Sequence, residues 1–127
     1  MSLLYSIVES PYYPDLSALY LKAGIKEVKL TSQRKAISQL KRQAPDFVVA
    51  EFFYGYGNNY AGVNISNLDV FLHSLRKYAP KARVIIFATP REMPHTSKLT
   101  ELFDIHAVLP LPLNQQKLLK IIEANDL

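Results

Sequence analysis

The sequence contains no cysteine. Disulfides and thiolate metal sites are therefore excluded, and a reducing, cytoplasmic setting is the expected one. No apolar run approaches the ~18 residues that a membrane span requires. The apolar start, Met1 to Glu9, lacks a basic leader and a small-residue cleavage site, so no signal peptide is expected. Histidine is scarce. His73, His95 and His106 are scattered along the chain with no His-x-x-x-His spacing, which argues against metal ligation and imidazole acid–base chemistry. Three of the four glycines, Gly55, Gly57 and Gly62, fall in one segment that has no Gly-Lys-Ser/Thr ending, so it is not a phosphate-binding P-loop. It also fails to match a dinucleotide fingerprint, and no serine-centred nucleophile elbow is present. The expectation is a protein without cofactor and without enzymatic activity.

What remains is a balanced globular composition: 127 residues, 49% hydrophobic and 20% charged. That length fits one domain, residues 1–127, large enough to bury a core unaided. The net charge of +4 is mildly basic. The basic groups Arg34/Lys35/Lys41/Arg42 and Arg76/Lys77/Lys81/Arg83 read as solvated helix faces, because aromatic residues do not interleave with them as a single-strand platform would require. Nucleic acid and membrane are not the expected partners.

Hydrophobic patterning gives a repeated strand–helix order. Leu3–Val8 reads as a strand, followed by a helix capped by Asp15, presenting Leu16, Leu19 and Ala23 and ended by Gly24. Ile25–Leu30 alternates imperfectly, as an edge strand does. Thr31 or Ser32 caps the second helix, whose apolar face is Ala36, Ile37 and Leu40. Phe47–Phe53 is almost continuously apolar and suits a central strand. Ser66 and Asp69 resemble a capping box for a helix presenting Leu68, Phe71, Leu72, Leu75 and Tyr78. Val84–Ala88 is the next buried strand, Leu99, Leu102 and Phe103 mark a short helix, and Ile105–Leu109 is the last strand. A final helix carries Leu118, Ile121 and Ile122. Five βα units imply a single doubly wound, five-stranded parallel sheet with helices on both faces, of the flavodoxin-like kind. Ligands of such sheets bind at the carboxyl ends of the strands.

Pro45-Asp46-Phe47-Val48-Val49-Ala50-Glu51 resembles the segment of response-regulator receiver (CheY-like) domains that ends in the phosphoacceptor aspartate. Val84–Thr89 resembles the receiver's fourth strand, Leu109–Leu119 the segment around its Lys-Pro, and Ala23-Gly24 the close of its first helix. The resemblance covers essentially the whole chain and implies a (βα)5 signalling domain. It also implies a pocket built from Glu9, Ser10, Glu51, Ala88, Thr89 and Leu111, and that pocket departs from the family almost everywhere. Glu51 stands for the acceptor Asp and is one methylene longer, and a misplacement of about 1 Å can cost ~100-fold in rate. Glu9-Ser10 stands for an acidic Mg²⁺-binding pair and is one carboxylate short of it, leaving at most a weak Mg²⁺ site at Glu9 and Glu51. Ala88 replaces the Thr/Ser, Leu111 the Lys, and Val108 the switch aromatic.

The resemblance therefore points to a pseudo-receiver: a phosphorylation-independent signalling or docking domain acting through a protein partner, with a homodimer among the arrangements allowed. Receivers often use the face around the fourth helix, last strand and fifth helix, which implies a docking face of Leu99, Phe103, Leu111, Leu113 and Leu118. Two alternatives stand beside this reading. One is an atypical phosphoacceptor in a two-component phosphorelay, using Glu51, Asp46 or Thr89. The other is a small-ligand-binding flavodoxin-like domain with Tyr54, Tyr56, Asn58, Asn59 and Tyr60 in a lid, since tyrosine with Gly and Asn is the composition of binding loops.

Overall fold

The computed structural model describes residues 2–8, 15–54 and 66–124. Its elements, in chain order, are β1 (Ser2–Ile7), α1 (Ser17–Lys22), β2 (Ile25–Leu30), α2 (Gln33–Leu40), β3 (Phe47–Glu51), α3 (Asp69–Tyr78), β4 (Arg83–Ala88), a 3-10 turn (Met93–His95) running into α4 (Thr96–Thr100), β5 (Ala107–Pro110) and α5 (Gln115–Ala124). All strands are parallel, in the order β2-β1-β3-β4-β5. This is the doubly wound architecture that the sequence pattern predicts. The imperfectly alternating strand, β2, lies at an edge, and the continuously apolar β3 lies at the centre.

Side-chain alternation along the strands feeds two cores. Leu3, Tyr5, Ile7, Val48, Ala50, Val84 and Ile86 pack with Phe71, Leu72, Leu75 and Leu99 on one face. Leu4, Phe47, Val49, Ile85 and Phe87 pack with Leu16, Tyr20, Leu118 and Ile122 on the other. Each fully buried side chain of this size contributes roughly 1.5–3 kcal/mol relative to exposure.

Local signals place the helices. The Ser32 hydroxyl accepts the Lys35 N–H at 3.2 Å and starts α2. The Asp69 carboxylate accepts from both the N–H and the hydroxyl of Ser66, each at 2.8 Å, and the Ser66 hydroxyl accepts the Leu68 N–H at 3.0 Å. The box read from the sequence thus forms in part: Asp69 reaches back to Ser66 ahead of α3, while the capping position itself is Leu68, which has no side-chain cap. Gly24 takes φ +73° just past α1, in the left-handed region that a side chain resists. Tyr5, fully buried on β1, donates its hydroxyl to the carbonyls of Gln39 and Gln43, tying the end of α2 to the sheet.

Tyr78 departs from its expected place: it is 38% exposed, and Ala79 takes the buried position beside Leu75. Tyr20, which sits in the second core, is buried.

Candidate functional site

The strand order reverses between β1 and β3, so the crevice of this fold lies at the carboxyl ends of those strands. Glu51, the last residue of β3, stands there and is 5% exposed. It pairs with Phe87 of β4, and the β1–β3 register, one step past Ile7 with Ala50, carries it alongside Val8. Phe47 and Val49 belong to the α1/α5 core, so alternation sets Glu51 on that face as well.

Asn67 fixes the backbone at this exit. Its Nδ2 donates to the Glu51 carbonyl at 2.9 Å, and its Oδ1 accepts the Phe53 N–H at 2.7 Å. The Phe52 N–H is taken by the Phe87 carbonyl at 2.9 Å. Asn67 was not singled out in the sequence. The visible signal was an amide beside a helix start, where Asn side chains commonly bond nearby backbone.

The other pocket positions are apolar or turned away. Ala88 ends β4, is 1% exposed and packs into the α2/α3/α4 core, on the face opposite Glu51. Alternation alone would carry Thr89 to the face of Glu51. However, β4 ends at Ala88, and Thr89 is exposed, its carbonyl accepting the N–H groups of Glu92 and Met93 at 2.9 and 3.0 Å. Leu111 is half-buried against the α1/α5 core, its N–H bonded to the Ala88 carbonyl at 2.8 Å, and the Leu111–Pro112 peptide is cis. Glu9 and Ser10 lie outside the described residues, so the Glu9–Glu51 cation pair does too.

Asp46 does not belong to the pocket. It precedes β3, five residues from Glu51 and roughly 16 Å away along the strand. Its carboxylate accepts the Leu3 N–H at 2.8 Å.

Beside the crevice, between β1, β2 and the start of α1, a cavity of about 280 Å³ is lined by Ser6, Val8, Asp15, Glu27, Lys29 and Thr31 among others. Lys29 Nζ lies 3.6 Å from Asp15, and the Ser17 hydroxyl donates to Glu27 at 2.9 Å. The Asp15 carboxyl is held below its ordinary range by the Ser17 N–H and hydroxyl first, and by Lys29 second.

Tyr54 is the one residue of the tyrosine-rich candidates that is described. Its N–H donates to Glu92 Oε2 at 2.8 Å, and its ring stacks on His95 at 4.1 Å between centroids and 10° between planes. Lys98 Nζ donates to the Tyr54 hydroxyl at 2.9 Å. An antiparallel bridge joins Tyr54 to Ser66. Tyr56, Asn58, Asn59 and Tyr60 lie outside the described residues. The sequence did not foresee Glu92, His95 and Lys98 as Tyr54's partners, because the fold brings them from a different loop and helix.

The docking face needs correction. Leu99 and Leu118 are fully buried and Phe103 is 6% exposed, so these three are core residues and offer no surface. Leu111 and Leu113 are half-buried against the α1/α5 core. Because α4 stops at Thr100, the chain turns, sending Phe103 inward and leaving Leu102 54% exposed. No helix among the described residues is long and apolar enough to cross a membrane.

No protein-family model matches the sequence, and no curated protein sequence matches it. Solved structures do match. A response-regulator receiver domain protein from Clostridium thermocellum superposes with a TM-score of 0.73 at 15% identity, over 98% of this chain and 93% of that one. A response-regulator receiver protein from Sinorhizobium medicae gives a TM-score of 0.69 at 16% identity, over 96% and 90%. A protein described among streptococcal redox sensors evolved from two-component response regulators gives 0.73 at 14% identity, over 98% of this chain and 50% of that one. Along essentially its whole length, this chain has the fold of a response-regulator receiver domain.

Proposed function

We propose that this chain is a pseudo-receiver: a signalling domain that works by binding a protein partner and not by accepting a phosphoryl group. The observation that carries the reading is Leu111, half-buried on the face of the sheet that Glu51 shares, where the resemblance places the receiver's lysine, while Ala88 at the end of β4 is turned to the opposite face. Transfer of a phosphoryl group is catalysed almost wholly by positioning and by cations or donors placed against its charge. A half-buried isobutyl group supplies neither, and Ala88 offers only a methyl on the other face. Asp46, which accepts the Leu3 N–H at the far end of the strand, supports the same reading.

The streptococcal redox sensors give a precedent for this fold leaving two-component chemistry. Thiol redox chemistry is not available here, since the chain has no cysteine. The exposed part of the α4–β5–α5 face, with Leu102, Pro110 and Pro112 outward, is the surface this reading assigns to contact. Intact mass after incubation with Mg²⁺ and acetyl phosphate tests the proposal. No adduct, beside a receiver that labels under the same conditions, is expected. A stoichiometric Mg²⁺-dependent adduct would overturn it.

A further inference from the structure

At the opposite end of the molecule, a groove of about 500 Å³ opens at the amino ends of β3 and β4. It is lined by Ala44, Pro45, Asp46, Tyr78, Pro80, Lys81 and Arg83, with Ala79 and Ala82 beneath. Lys41 and Arg42 close α2 just before this lining begins, and Lys77 sits in the last turn of α3. No ion pair between described residues involves Lys41, Arg42, Lys77, Lys81 or Arg83. The one carboxylate of the lining, Asp46, is held by the Leu3 N–H. Lys81 and Arg83 line the groove and Lys77 lies against the ring of Tyr78, so three cations accompany one committed anion.

Helix ends explain part of this, because cations near a helix C-terminus are favoured by its dipole. That accounts for Lys41, Arg42 and Lys77. It does not account for Lys81 and Arg83, which lie past α3 and at the start of β4. Nor does it account for Tyr78, whose ring is 38% exposed in the same groove with Lys77 Nζ 5.3 Å from its centroid. Spacing along the chain showed no aromatic platform among the basic residues. The fold makes one, by turning Tyr78 outward beside Lys77 and into one lining with Lys81 and Arg83.

We infer that this groove binds single-stranded nucleic acid, with the cations on the phosphates and a base stacked on Tyr78. An aromatic face between cations suits a base and its backbone. A polyanion of carboxylates alone would have no use for the exposed ring.

The test is fluorescence anisotropy with a labelled oligothymidylate, titrated at several salt concentrations. Saturable binding at low salt is expected, weakening steeply as salt rises. K77Q/K81Q removes two cations and should flatten the plot of log K against log salt by about 1.4, at about 0.7 per contact for a single strand. Y78A should weaken binding about tenfold and leave that slope unchanged. K117Q/K120Q, on α5 against the opposite face of the sheet, serves as the charge-matched control and should leave binding as in the parent. All of these positions except Arg83, which is left intact, are exposed, so folding is preserved and is checked by circular dichroism. Absence of binding at low salt would overturn the inference. So would equal loss in K117Q/K120Q, equal affinity for a duplex, or displacement by polyglutamate as readily as by unlabelled oligonucleotide. The last result would assign the groove to an acidic protein instead.

Discussion

Asn67 holds the exit of β3 with both atoms of its amide, so Asn67→Ala deletes two hydrogen bonds at once, to the Glu51 carbonyl at 2.9 Å and from the Phe53 N–H at 2.7 Å. A net hydrogen bond is worth about 1 kcal/mol, and a backbone group left unpaired in a buried setting adds to the loss. The expected cost is about 2–3 kcal/mol. For a domain of this size that corresponds to a fall in Tm of roughly 6–12 °C. The assay is urea unfolding followed by circular dichroism, with an unchanged m-value showing that the loss is one of native stability. Asn67→Asp sharpens the test. It keeps an acceptor for Phe53 but sets a carboxylate against the Glu51 carbonyl, so it should destabilise at neutral pH and recover in part in acid. A loss below about 0.5 kcal/mol for Asn67→Ala would refute the claim that this side chain positions the site.

Burial raises the Tyr5 hydroxyl pKa above 10.0, so its contribution is present at neutral pH and is lost as pH rises through the folded value. Tyr5→Phe should cost about 1–2 kcal/mol at pH 7 and flatten the alkaline limb of stability relative to the parent, read by urea titrations at several pH values. Gly24→Ala should cost about 1–2 kcal/mol through backbone strain alone, because nothing lies within 4 Å of an added methyl. Leu99→Ala should cost about 2–5 kcal/mol, whereas Leu102→Ala should stay within about 0.5 kcal/mol. Similar losses at the two positions would contradict their assignment to core and surface.

The fold was legible because its signals are local and redundant. Apolar runs at Phe47 and Val84, the Ser66–Asp69 cap and Gly24 each report on a few neighbouring residues, and together they set the order of elements. The site was less legible for reasons that follow from the same physics. Buried Glu51 was found because it ends an apolar strand. Asn67 and the Tyr54–His95–Lys98 cluster were missed because their partners come from other elements. Leu99, Phe103 and Leu118 were misassigned to a surface because apolar spacing shows which residues are hydrophobic but not which way the helices and turns present them. Leu99 and Phe103 filled the core, and Leu102 was left outside. Asp46 was a plausible acceptor by type alone, until the register set it at the other end of β3.

The proposal that the crevice around Glu51 hosts no phosphoryl group is tested by beryllofluoride with Mg²⁺, without depending on the survival of an acyl phosphate. In ¹H–¹⁵N spectra of the labelled protein, the account predicts that the amides of Val8, Glu51, Phe52, Ala88 and Leu111 keep their positions when the reagent is added. Saturable, Mg²⁺-dependent shifts centred on those residues would contradict it.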